Sequence, residues 1–176
     1  TISDPAGNAA VLTHGAVADN PSYAVDTTAP TVNTVAITAT GVQNSTLNVG
    51  DVVNVTVTMS EAVAVTGTPQ ITLNVGGTSR TASYVSGSGT AALVFAYTIV
   101  AGDTDANGIS INANSIALNG GTISDPAGNA AVLTHALVAD NASYLVDTTA
   151  PTVNTVAITS ATGVQNSTLN VGDVVN

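Results

Sequence analysis

The chain has 176 residues, eleven acidic side chains against a single basic one, a net charge of −10 and no cysteine. Such a surface repels nucleic-acid phosphate and anionic lipid, which argues against nucleic acid and direct membrane contact as partners. Without thiols there is no disulfide framework, thiolate metal site or thiol catalysis, while an apolar fraction of 44% is too high for a disordered acidic tail and suits strands.

Taken from the first residue, the chain opens TISDPAGNAAVLTH, and this stretch returns. Residues 1–54 reappear at 122–176 with four substitutions (Gly15 to Ala136, Ala16 to Leu137, Pro21 to Ala142, Ala24 to Leu145) and one inserted residue, Ser160. Near-identity at a domain-sized offset predicts a tandem array sampled over about one and a half repeats. Boundaries fall at the two Asp-Thr-Thr-Ala-Pro segments, 26–30 and 147–151, because proline ends the ladder before it and a short stiff segment leaves little slack. Residues 29–149 are then one complete domain. Residues 1–28 are the last strands of the preceding repeat, and 150–176 the first strands of the following one. The near-identity also allows 1–28 to replace 122–149 in the complete domain. Leu137 and Leu145, against Ala16 and Ala24, favour the native segment through added apolar burial.

Inside the complete domain, Val53, Val55, Val57 and Met59 alternate with polar residues, the pattern of a half-buried strand. Residues 60–63 read as a loop. Ile71, Leu73 and Val75 alternate next, and Gly76–Gly77 turns the chain into 78–85 as a hairpin. Leu93, Phe95, Tyr97 and Ile99 share one face of the most apolar strand, Ile109 and Ile111 follow, and the SDPAGN turn at 124–129 precedes the last strands. About seven to nine short strands joined by Gly/Asn/Asp turns predict an all-β, immunoglobulin-like antiparallel β-sandwich. Its core includes Val53, Val55, Val57, Leu73, Leu93, Phe95, Tyr97 and Ile111.

In order along the chain, SEAV (60–63), GTPQITLNVGG (67–77), YVSGSGTAALVFAYTI (84–99), AGDTDANGISI (101–111), GGTISDPAGNAA (120–131) and VDTTAPTV (146–153) form a recognisable set. The set resembles the bacterial immunoglobulin-like repeats of giant adhesins. It is particularly similar to the extender repeats of RTX-type biofilm and ice-binding adhesins exported by type I secretion. The resemblance covers essentially the whole repeat, although DTTAP and the D-x-AGN turn mark the class more than one protein. It implies a Gram-negative cell surface, a long extracellular fibre, and calcium held at and between domains.

Asp103-x-Asp105-x-Asn107-Gly108 has the opening spacing of an EF-hand calcium loop, but position twelve is Asn114 and the flanks are strands, so an EF-hand is excluded. Two readings remain, a calcium turn and a hairpin loop that uses these residues for turn geometry alone. Strand alternation gathers Glu61, Asp125 and Asn129 with Asp26 of the entering linker at one end of the sandwich. It gathers Asp51, Asp103 and Asp105 near Asp147 of the exiting linker at the other. Stacked head to tail, acidic base meets acidic cap, and the repulsion calls for a cation, with Ca²⁺ as the expected ion. The expected ligands are Asp26, Glu61, Asp103, Asp105, Asn107, Asp125, Asn129 and Asp147.

His14 and His135 stand alone and read as surface or strand-edge residues, Arg80 as a local salt-bridge partner, and Tyr84, Tyr97 and Tyr144 as core or edge aromatics. No serine or threonine has a plausible base beside it, so the chain reads as no enzyme. The expected function is a structural extender, rigidified by calcium at its linkers and projecting a distal ligand-binding domain. Its partners are neighbouring repeats, head to tail. The alternative is a repeat that itself binds glycan, ice or a partner adhesin, and the scatter of Thr over many strands argues against that.

Overall fold

The computed structural model describes residues 1–176. The architecture is all-β, with curled antiparallel sheets closing on one core as in a β-sandwich. Its strands in chain order are β1 (Val32–Thr40), β2 (Thr46–Leu47), β3 (Val52–Thr66), β4 (Gln70–Val75) and β5 (Thr78–Ser86), then β6 (Thr90–Thr98), β7 (Thr104–Asp105), β8 (Ile116–Ala117), β9 (Thr122–Ser124) and β10 (Leu145–Asp147). The larger sheet runs β1-β3-β6-β5-β4-β8, with β9 also paired to β3. The smaller sheet runs β2-β10-β7. In the smaller sheet β10 lies parallel to β2 and antiparallel to β7.

Period-two patterning decides which side chains meet. Val53, Val55, Val57 and Met59 of β3 all point inward, opposite Leu93 and Phe95 of β6 through the pairs Val57↔Leu93 and Val55↔Phe95. Ile71, Leu73 and Val75 of β4 close the same core, and Ile109, Ile111 and Val146 seal it from the smaller sheet's side. Phe95 is fully buried and takes the ring of Tyr84 edge-on, with centroids 5.8 Å apart. Burying a side chain of that size stabilises by about 1.5–3 kcal/mol. Tyr97 packs against this core, as expected. It is half-buried, because its hydroxyl reaches out of the apolar layer to the Asp103 carboxylate.

Residues 60–63, expected as a loop, lie inside β3. This strand serves two partners. Its first half pairs with β1 and β6, and its last residues, Ala64–Thr66, pair with β9. The changeover falls at an irregularity between Thr58 and Val63, where three extra residues on β3 break the ladder with β6 and bend the strand. Ser60 fastens the bend by donating its N–H to the Thr31 carbonyl at 2.8 Å and accepting the Thr31 N–H on its Oγ at 3.0 Å.

At the C-terminal end, Leu145–Asp147 fills the last strand position, while the matching residues 24–26 lie exposed. Of the two leucines expected to favour this arrangement, Leu145 is half-buried. Leu137 is 64% exposed and contributes little. Residues 1–28 are exposed throughout, and 150–176 nearly so.

Candidate metal centre

The entering linker, the bend in β3 and the turn after β9 converge at one end of the domain. Ala64↔Ser124 pairing brings the chain leaving β9 alongside the Glu61–Val63 stretch, so Asp125 meets Glu61. One carboxylate oxygen each from Asp26, Glu61 and Asp125 lies within 4.8 Å of the others. Asp125 is buried, Glu61 half-buried and Asp26 exposed. This group could hold a metal ion, and its donors are all oxygens.

Asp125 owes its place to a turn that the sequence encodes locally. Asp-Pro-Ala-Gly puts Asp at the first position, Pro at the second and Gly at the fourth, the preferred composition of a type I turn. Gly128 N–H bonds the Asp125 carbonyl at 3.2 Å, and Gly128 has φ +95°, open to glycine and strained for other residues. Asn129 then clasps the carboxylate with both its backbone N–H and its side-chain amide, each at 2.8 Å. The copy at 4–8 repeats these bonds, with Asn8 N–H and Nδ2 each 2.8 Å from Asp4, although that segment is exposed. Packing against the domain is therefore not what shapes the turn.

Burial acts to raise the Asp125 pKa, but hydrogen bonds from the Asn129 side chain and backbone and from the Gly128 and Ala127 amides outweigh it, so the carboxyl lies below the ordinary aspartate value. Asp125 is thus held ionised beside two further carboxylates. The Asn129 amide also donates to the Asp26 carbonyl at 3.1 Å and so ties the linker to the turn. Asn129, expected as a ligand, bonds the Asp125 carboxylate and the Asp26 main chain.

The other expected ligands are not gathered into a group. Asp103 is buried and engaged by the protein. Its carboxylate accepts hydrogen bonds from Arg80 Nε at 2.7 Å, Val100 N–H at 3.1 Å and the Tyr97 hydroxyl, and Arg80 Nη2 forms an ion pair with it at 2.6 Å. Both carboxylate oxygens therefore face protein donors. Burial acts to raise the Asp103 pKa, and these bonds more than compensate, so the net shift is downward. The Tyr97 hydroxyl is pushed up to about 12, first by burial and then by its bond to Asp103. Asp105 accepts from the N–H groups of Gly76, Asn107 and Gly108 at 2.7, 3.1 and 2.8 Å. These are the bonds of a turn closed by an aspartate side chain. Asn107 turns its amide to Asp140. Asp147 is exposed, and its Oδ1 accepts the Thr149 N–H at 2.9 Å, matching Asp26 and Thr28 at 2.9 Å.

His135 is structural. Its Nε2 accepts the Ser115 N–H at 2.9 Å while Nδ1 lies 2.8 Å from the Ala136 carbonyl, which fits a neutral ring protonated at Nδ1. Sequence reasoning passed over Thr148 and Ser60, which bond the linkers to the domain ends. The only signal for either was the threonine repeated in DTTAP. Comparison with protein-family models, curated proteins and solved structures finds no match.

Proposed function

We propose that this chain is a segment of a tandem fibre of immunoglobulin-like repeats, a structural extender of an extracellular adhesin whose joints are stiffened by calcium. The observation that carries the reading is the Asp26–Glu61–Asp125 group. Asp26 ends one copy of the repeat and matches Asp147, whereas Glu61 and Asp125 belong to the next copy. An ion held there would join consecutive domains.

Calcium suits the donor set. Two oxygens bound to one Ca²⁺ at about 2.3–2.6 Å lie at most about 5 Å apart, which admits the 4.8 Å spread of these carboxylates. Backbone carbonyls and water would complete the shell. Strand order supports the immunoglobulin-like reading. Taking β1, β3, β4, β5 and β6 as strands A to E, the first four strands of the larger sheet run A-B-E-D, whereas β4, the C strand, continues that sheet instead of joining the opposite one. The resemblance to RTX-type extender repeats supports placement on a Gram-negative cell surface with a distal domain binding the target.

Melting the chain in calcium and in chelator tests the metal. Binding to the folded state alone adds about 2.7 kcal/mol at roughly a hundredfold excess over the dissociation constant. Glu61→Gln should weaken calcium binding about tenfold or more by removing a charged ligand. Without metal the same variant should melt no lower than the parent, because it relieves repulsion. Calcium-induced stabilisation that survives Glu61→Gln unchanged would exclude this site.

A further inference from the structure

The two linkers have the same sequence, Asp26–Pro30 and Asp147–Pro151, yet each is seen against a different neighbour. The first lies on the cap of the domain that follows. There the Pro30 carbonyl accepts the Val132 N–H at 2.8 Å, Thr31 exchanges two hydrogen bonds with Ser60, and Pro30 is buried. The second lies on the base of the domain before it. There Thr148 Oγ1 donates to the Asp103 carbonyl at 2.9 Å and accepts the Gly102 N–H at 3.0 Å. Both linkers make the same local turn, with the aspartate Oδ1 taking the N–H two residues on at 2.9 Å.

These two sets of contacts use different residues of one motif and do not compete. We infer that each linker is bonded to both neighbours at once. The threonine after the aspartate clamps the upstream base, and the proline carbonyl with the next threonine clamps the downstream cap. The inference rests on the tandem reading, but it does not depend on a metal. Between Thr148 and Pro151 the chain makes three steps of about 3.3–3.6 Å, so only about 10 Å of linker separates the clamps. The upstream anchor is Asp103, whose backbone meets Thr148 while its side chain is fixed by Arg80 and Tyr97. The residue expected to bind metal at the base therefore serves the joint through its carbonyl, and the single basic residue of the chain holds it there.

A chain carrying two complete repeats tests this, with a spin label at the exposed Ser79 position of each domain, which the absence of cysteine makes simple. Thr148→Val at the joint keeps shape but loses both hydrogen bonds. It should speed amide exchange at Gly102 about tenfold and broaden the inter-label distance distribution in calcium and in chelator alike. Thr148→Ser should retain the parent behaviour. Unchanged Gly102 exchange, or faster exchange without broadening in chelator, would overturn the clamp. A parent distribution identical with calcium and with chelator would instead refute the calcium reading and leave the clamp standing.

Discussion

At the scale of single residues, Asp103 shows how a buried charge becomes part of the frame. Its partners come from β5, β6 and the loop between β6 and β7, so the carboxylate ties three segments together. Tyr97→Phe removes one hydrogen bond to a charged group and should destabilise by about 1–3 kcal/mol in urea unfolding. The pH dependence separates this from lost packing. The folded-state pKa of Tyr97 is raised from 10.0 to about 12. Its contribution to stability is therefore complete below pH 10 and fades as pH rises toward 12. The variant should lack that alkaline loss, which tyrosinate absorbance and denaturant melts will follow. Asp103 and Asp125 are shifted the other way. Their contributions are present above the ordinary aspartate value of 3.8 and vanish as pH falls below it.

Individual elements were legible to different degrees. Alternation in β3, β4 and β6 marked Val53, Val55, Val57, Leu73, Leu93 and Phe95, all of which are buried. That signal is local and needs no partner. Glu61 was placed at the correct end of the domain but in a loop, because period-two patterning cannot show a strand changing partners. The alternation in fact persists, with Met59 and Val63 buried on either side of half-buried Glu61. The partners of the acids at the base were not legible, for another reason. The hold on the Asp103 carboxylate comes from Arg80, twenty-three residues away, and spacing cannot reveal it. The SDPAGN turn was readable because its bonds are internal. Asn129→Ala should move the Asp125 carboxyl back up toward its ordinary value and loosen residues 26–30. NMR titration of the carboxyl carbon and amide exchange at Val132 will report the two effects. A variant with both unchanged would remove Asn129 from the site.

At the scale of the whole molecule, one packed β core lies between two near-identical stretches of sequence, and the proposed function rests on the joints between repeats. On the proposed reading each joint would combine the two sets of bonds seen at the separate linkers with the acidic group at Asp26, Glu61 and Asp125, and almost no basic residue balances that charge. On that reading the hydrogen bonds limit bending. The carboxylates, left without a cation, oppose close approach of consecutive domains. Calcium at Asp26, Glu61 and Asp125 would convert that repulsion into a third attachment. Small-angle scattering of a chain of several repeats, recorded in calcium and in chelator, measures this directly. The account predicts a longer maximum dimension and a rod-like profile in calcium, and a shorter, more flexible particle in chelator. Superimposable profiles, with a melting temperature that does not move between the two conditions, would contradict it.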